Sequence, residues 1–313
     1  MKILVPGGSG FLGRAVVAHF HGAGHNVVVL SRRPDPGDVG WDGESLGPWA
    51  KELDGADVVV NLAGRSVNCR YGSRHLAEMM DSRVKSARVV GRAIADAKIP
   101  PDVWLQASTA TIYAHRFDAP NDELTGVIGG SEPGAPRKWV ASIEIARAWE
   151  CELEAADTSR TRKVAMRAAM VMGVEKGSAF DTLATLATRG LGGPAGDGRQ
   201  FMSWIHEADF LRSLDFLIER RDLSGPVNLA SPNPLPNREF VAEMRSALGV
   251  RLALPTPAWL LEFGAVFMRT ETELILKSRR VIPTRLLQAG FTFEFPEWPA
   301  AAHDLAAKWR GRG

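Results

Sequence analysis

Glycine recurs at positions 7, 10 and 13, directly after the short apolar run Lys2-Ile3-Leu4-Val5. That spacing suits the binding of a pyrophosphate. A tight turn leaving a strand needs backbone angles that glycine adopts cheaply. A second glycine lets the main chain approach the phosphates, and a third lets the following helix pack closely on the sheet. The anion then rests on the free N–H groups and positive end of a helix beginning near Gly10. A second apolar run, Asn26 to Leu30, leads into Ser31-Arg32-Arg33. An acid at that strand end would bind a ribose 2′-hydroxyl. Serine and two arginines stand there instead, and guanidinium forks suit a phosphate dianion. The pair of features points to a dinucleotide with a 2′-phosphate, NADP(H).

Positioning these residues requires alternating strands and helices. Leu12, Val16, His19 and Phe20 fall on one side of the helix after the glycines. Apolar runs at 57–64, 103–108, 164–171 and 226–230 predict further strands. Between them lie helical patterns over 73–97, as one helix or two, around 145–155, and over 207–220. Such alternation predicts an α/β fold, a doubly wound parallel sheet covered by helices on both faces. The organisation expected is a dinucleotide-binding domain over 1–170 to which 204–230 return. A smaller, mostly helical substrate lobe takes 171–203 and 231–313. The stretch 115–138, rich in glycine, proline and acids, is expected to be a long loop able to cover the site.

Composition narrows the function. The chain has 313 residues, 45% hydrophobic and 24% charged, ordinary globular proportions. Its formal net charge of +2 leaves no electrostatic footprint for nucleic acid. Two cysteines, Cys69 and Cys151, make no disulfide framework and suit a reducing cytoplasm. A first strand expected from residue 2 predicts no signal peptide before it. The apolar stretch Pro257 to Met268 contains Glu262 and is too short to span a bilayer; it is expected to form a buried amphipathic helix. His19, His21 and His25 lack a cysteine or paired carboxylate at ligand spacing, so no metal is expected. The partner expected is a small-molecule substrate, with no membrane or nucleic acid, and a homodimer is the assembly considered.

With these residues in place, the chain resembles the extended short-chain dehydrogenase/reductase superfamily, in particular its epimerase-like branch with a family-specific C-terminal domain. The resemblance rests on GGSGFLG at 7–13, WD at 41–42, NLAG at 61–64, SRV at 82–84, ARAWE at 146–150 and RAAMVMG at 167–173. It continues through GDGRQFMSWIHEAD at 196–209, GPVNLASP at 225–232 and VIPTRLLQAGFTF at 281–293, and so covers essentially the whole chain. It implies a Rossmann sheet of about seven strands with the site between the strand ends and the smaller lobe. The cofactor set it implies comprises Gly7, Gly8, Ser9, Gly10, Phe11, Leu12 and Gly13 at the pyrophosphate. Ser31, Arg32 and Arg33 stand at the adenosine phosphate, and Leu62, Ala63 and Gly64 at the next strand end. Ser108 and Arg167 complete the set. Ser108 and Thr109 also fall where the superfamily keeps its catalytic hydroxyl.

One departure bears on chemistry. Most of the superfamily carries Tyr-x-x-x-Lys at the start of the next helix. There the lysine and the nicotinamide charge lower the phenol pKa so that it exchanges a proton as hydride moves. Counted back from Trp149-Glu150, those positions are Ser142 and Ala146, neither of which can do that work. Either Tyr113, past the Ser108 strand end, or a water held near Glu144 is expected to move the proton, with Ser108 or Thr109 hydrogen-bonding the reacting oxygen. Lys138, Arg70, Arg83 and His206 are further candidates, each with an ordinary structural use. The leading expectation is an NADP(H)-dependent oxidoreductase on a small carbonyl or hydroxyl compound. The alternatives are a nucleotide-sugar epimerase or dehydratase, and a cofactor sensor without turnover.

Overall fold

The computed structural model describes residues 1–133, 135–251, 253 and 273–312. The helix expected over Pro257 to Met268 lies outside the described residues. Strand β1 (Lys2–Pro6) enters the glycine turn, and helix α1 (Phe11–Gly22) follows. Then come β2 (Asn26–Ser31), β3 (Val39–Gly40), β4 (Val58–Asn61), helix α2 (Ser73–Asp96), β5 (Val103–Thr109), helix α3 (Arg137–Ala155) and β6 (Arg162–Ala168). The pattern over 73–97 is thus one helix, continuous for 24 residues. Further along are β7 (Met170–Met172), α4 (Ala179–Thr188), β8 (Phe201–Met202), β9 (Trp204–His206), α5 (Glu207–Glu219), β10 (Gly225–Leu229), β11 (Leu235–Pro236) and α6 (Asn237–Leu248).

Seven strands form one sheet in the order β10-β6-β5-β4-β1-β2-β3, every neighbouring pair parallel. Alternate residues divide between two cores. Ile3, Val5, Val58 and Val60 face one side with Val16, Phe20, Phe210 and Leu214 from α1 and α5. Leu4 and Val59 face the other with Val90, Ile94, Trp149 and Leu153 from α2 and α3. Each fully buried Phe or Leu contributes about 1.5–3 kcal/mol, which explains why the central strands are apolar on both faces. Strand order reverses between β1 and β4. A crevice opens there beyond the carboxyl ends, the position where open α/β sheets take ligands.

A separate core lies beyond β6. Met172, Phe180, Trp204, Phe240, Met244, Trp298 and Leu305 pack together there. They come from β7, α4, β9, α6 and the final helix Trp298–Arg310. The segment before that helix rejoins the sheet: Leu286 and Phe291 pack with Leu223 and Val227.

The stretch expected to be a covering loop is a tied strap. Buried Asn121 donates from Nδ2 to the Ala114 carbonyl (3.2 Å) and accepts at Oδ1 from Val127 N–H (3.0 Å). Its backbone pairs with Val281, and Glu123 accepts from the Asn228 N–H at 2.7 Å. These buried bonds open only with larger unfolding. Proteolytic nicking within 115–133 should therefore keep pace with global unfolding under urea. Cleavage far faster than unfolding would show that the strap opens on its own.

Among the described residues, no helix is long and apolar enough to cross a membrane. Nor does any group of three or more His, Cys, Asp or Glu side chains stand together to hold a metal ion.

Candidate functional site

Gly7 adopts φ +82° and lies against the β4 turn; a Cβ there would stand 2.8 Å from the Ala63 nitrogen. At Gly13 an added Cβ would stand 2.4 Å from the Gly7 carbonyl oxygen, so helix and turn touch backbone to backbone. Helix α1 begins after Gly10 with no side-chain cap and no acid in its first turn. Its first N–H groups and positive end therefore face the crevice, as a pyrophosphate requires.

That crevice is a cleft of about 470 Å³. Gly7, Ser9 and Gly10 form its floor, Ser31 and Arg32 one end, and Leu62, Ala63 and Gly64 the opposite wall. Ser31 is buried, and its hydroxyl is 2.9 Å from that of Ser9, tying the glycine turn to the basic turn. The Arg33 N–H also donates to it at 3.2 Å. A neutral hydroxyl thus does the local bracing, and Arg32 stands exposed at the cleft with no carboxylate paired to it among the described residues. Asn61, fully buried, fixes the far wall. Its Oδ1 accepts from Ala63 N–H (3.1 Å), and its Nδ2 donates to Gln106 Oε1 (2.9 Å).

Beyond the cleft, Arg83 lies against Gly64 and over the Trp149 ring at 5.0 Å. Burial pulls its pKa down to about 10. Tyr71, also buried, has its phenol raised by desolvation and by the charge of Glu273. Glu273 in turn accepts from the Ser142 hydroxyl at 2.5 Å. A line of polar groups therefore runs from the cleft wall to the start of α3.

The model of the NAD dependent epimerase/dehydratase family matches residues 3–230, and a domain of unknown function matches 256–305. Human epimerase family protein SDR39U1 is 32% identical over 98% of this chain and 100% of its own length. The chain belongs to the NAD dependent epimerase/dehydratase family. Epimerase family protein YfhF of Bacillus subtilis (strain 168) is 30% identical, with 98% of each chain covered. The crystal structure of human SDR39U1 (isoform2) with NADPH superposes with a TM-score of 0.86 at 31% identity, covering 98% of this chain and 99% of that one.

Within this epimerase/dehydratase fold the candidate residues separate. Gly7, Ser9, Gly10, Ser31, Arg32, Leu62, Ala63 and Gly64 line the cleft. Gly8, Leu12 and Gly13 serve packing: a Cβ on Gly8 would press on Val29, and Leu12 lies against the sheet core. Phe11 opens α1 half-buried, and Arg33 is exposed outside the cleft lining.

Four of the candidate residues lie outside the cleft lining. Arg167 is bound to protein rather than turned to the cleft. It forks onto Glu150 (2.8 and 2.7 Å) and donates to the Tyr113 hydroxyl at 2.9 Å. Burial would lower its pKa, but the Glu150 carboxylate outweighs burial and raises it. Tyr113 is buried and donates to Asn228 Oδ1 (2.9 Å). Desolvation raises its pKa, the wrong direction for a phenol that must ionise. Ser108 is buried and spends its proton on Glu150 at 2.5 Å, so it does not donate to a reacting oxygen in this arrangement. Glu144 is exposed, about 200° around the helix from Ser142 at 3.6 residues per turn. Thr109 differs from these. It is half-buried at the β5 end and accepts from Thr111 N–H at 3.1 Å, which leaves its own proton to give.

His206 braces the lobes. Its Nδ1 accepts from Ala208 N–H (3.1 Å), its Nε2 bonds Asp304 (3.0 Å), and it stacks on Phe295 at 4.0 Å.

Sequence reasoning missed Trp41, Asp42, Glu44, Arg65, Asp81, Ser82 and Lys85, which line the cleft mouth. Lys85 bridges it, 2.8 Å from Glu44 and 3.4 Å from Asp81. The only signal was indirect, in the quoted stretches WD and SRV. Neither has a spacing that names a ligand.

Proposed function

We propose that the chain binds NADP(H) in this cleft and is an oxidoreductase acting on a small carbonyl or hydroxyl compound. The observation that carries the proposal is Arg32, exposed at the cleft end of β2 where a ribose-binding acid would otherwise stand. The human relative's structure with NADPH supports it. The glycine turn and the start of α1 would hold the pyrophosphate, and Arg32 the 2′-phosphate. Bound NADPH would supply hydride to a carbonyl carbon. Thr109 would donate a hydrogen bond to the reacting oxygen, where a preorganised donor stabilises developing charge.

Arg32→Ala is expected to weaken NADPH binding about 10- to 100-fold, the loss of one charge-assisted contact of about 1.5–3 kcal/mol. NADH binding should stay nearly unchanged. Fluorescence titration of both nucleotides decides this, and equal weakening of the two would defeat the 2′-phosphate assignment. Turnover is tested by nicotinamide absorbance after NADPH-loaded protein is mixed with a panel of aldehydes, ketones and quinones. Oxidation of NADPH supports the oxidoreductase; tight binding without oxidation across the panel would defeat it.

A further inference from the structure

The two positions where the superfamily pattern has tyrosine and lysine are not simply lost. One short segment of the C-terminal domain meets the first and bonds to the turn against which the second packs. Ser142, at the tyrosine position, is half-buried, and its hydroxyl donates to Glu273 Oε2 at 2.5 Å. The same hydroxyl has a second acceptor, the Lys138 carbonyl at 3.2 Å. The shorter contact to a charged acceptor takes the proton. Ala146, at the lysine position, is fully buried and packs with Ala110 and Ile112 of the turn that follows Ser108 and Thr109. Onto that turn Lys277 donates, Nζ to the Thr111 carbonyl at 2.8 Å.

Glu273 and Lys277 are four residues apart, and both are buried to 1% exposure or less. Lys277 Nζ lies 3.9 Å and Arg279 3.7 Å from Glu273 Oε1. Tyr71 faces the same carboxylate. Beyond Lys277 stand His115 and Glu132, which act on it or are acted on by it electrostatically. An acid buried this deeply needs such company, since an isolated buried carboxylate is strongly disfavoured.

We propose that Ser142 and Glu273 together replace the missing tyrosine as the proton-exchanging group, with Lys277 and Arg279 positioning Glu273. This rests on the cofactor reading above. In the oxidising direction the substrate hydroxyl gives its proton to the Ser142 oxygen as bound NADP⁺ would take the hydride from the carbon. The Ser142 hydroxyl gives its own proton to the Glu273 carboxylate in the same step, along the hydrogen bond already present. The O–H bonds of substrate and Ser142 break, and those of Ser142 and Glu273 form. Water later takes the proton from Glu273, and reduction runs the same steps in reverse. Serine alone is too weak a base for this work, and a buried carboxylate alone would not reach out of the core. The partly exposed hydroxyl backed by the buried acid does both.

The pair is tested without a known substrate, by infrared titration of the Glu273 carboxyl in protein saturated with NADPH or with NADP⁺. The band is assigned as the one lost in Glu273→Gln. Should that variant not fold, Ser142→Ala assigns it by moving its midpoint upward, because the carboxylate loses a donor. An added positive charge within reach of the carboxylate favours its ionised form. The midpoint is therefore expected at least about one pH unit lower with NADP⁺ than with NADPH. Glu273→Gln should leave NADPH affinity intact. Equal midpoints in the two complexes would overturn the proposal and leave the cofactor reading standing. Failure of the wild-type protein to bind NADPH would overturn both.

Discussion

Arg167→Ala is expected to lower folding stability by about 3–5 kcal/mol, the usual result of stranding one partner of a buried ion pair. Arg167 and Glu150 are 8% and 7% exposed. The guanidinium makes a bidentate bond to Glu150 and a third bond to Tyr113 Oη, while Ser108 donates to the same carboxylate. Removing the arginine leaves a carboxylate in an apolar setting with one hydroxyl for company, and leaves Tyr113 with a single partner. The urea midpoint should fall with the slope unchanged. Replacing both charges, Glu150→Leu with Arg167→Met, should recover much of the loss, since a well-packed apolar pair often equals a buried ion pair. A loss below about 1 kcal/mol for Arg167→Ala would mean that water or a proton reaches Glu150 readily. That outcome would reopen the possibility that Ser108 and Arg167 face the site.

The network shows what a single sequence can and cannot display. The glycine triplet, the alternation of strands and helices and the basic turn are local signals, each within about one supersecondary unit. They specify the seven-stranded sheet, the crevice and Arg32. Arg167 at a strand end and Tyr113 after another look equally available for chemistry in the sequence. Only the fold reveals that α3 carries Glu150 to Arg167 and that Arg167 in turn bonds Tyr113. The strap at 115–133 has loop composition, yet Asn121 and Glu123 find partners around Val281 and on Asn228, far along the chain. Glu273 gave no local signal at all. An acid and a lysine four residues apart are commonplace on helix surfaces. What marks this pair is its burial against Ser142 and Thr111, and burial is a tertiary property.

Trp298→Ala should cost about 3–5 kcal/mol, as large-to-small changes of buried aromatics do, but leave the cofactor cleft unaffected. Trp298 is 1% exposed. It stacks on Phe240 with centroids 3.9 Å apart, meets Trp204 edge-on at 4.9 Å, and donates from Nε1 to the Phe240 carbonyl at 2.8 Å. All three rings belong to the core beyond β6, which shares no residue with the two cores flanking the sheet. The cavity left by the indole cannot be filled by neighbours fixed on β9 and α6, so the loss should fall on that core. NADPH affinity should then stay within about threefold of wild type, because distant sites without shared partners act nearly independently. Urea unfolding followed by tryptophan fluorescence, beside NADPH titration of the same variant, measures both. Loss of NADPH binding in step with stability would show that the second core and the sheet form one cooperative unit. Retained binding would show that the cofactor is held by the sheet and its glycine turn alone.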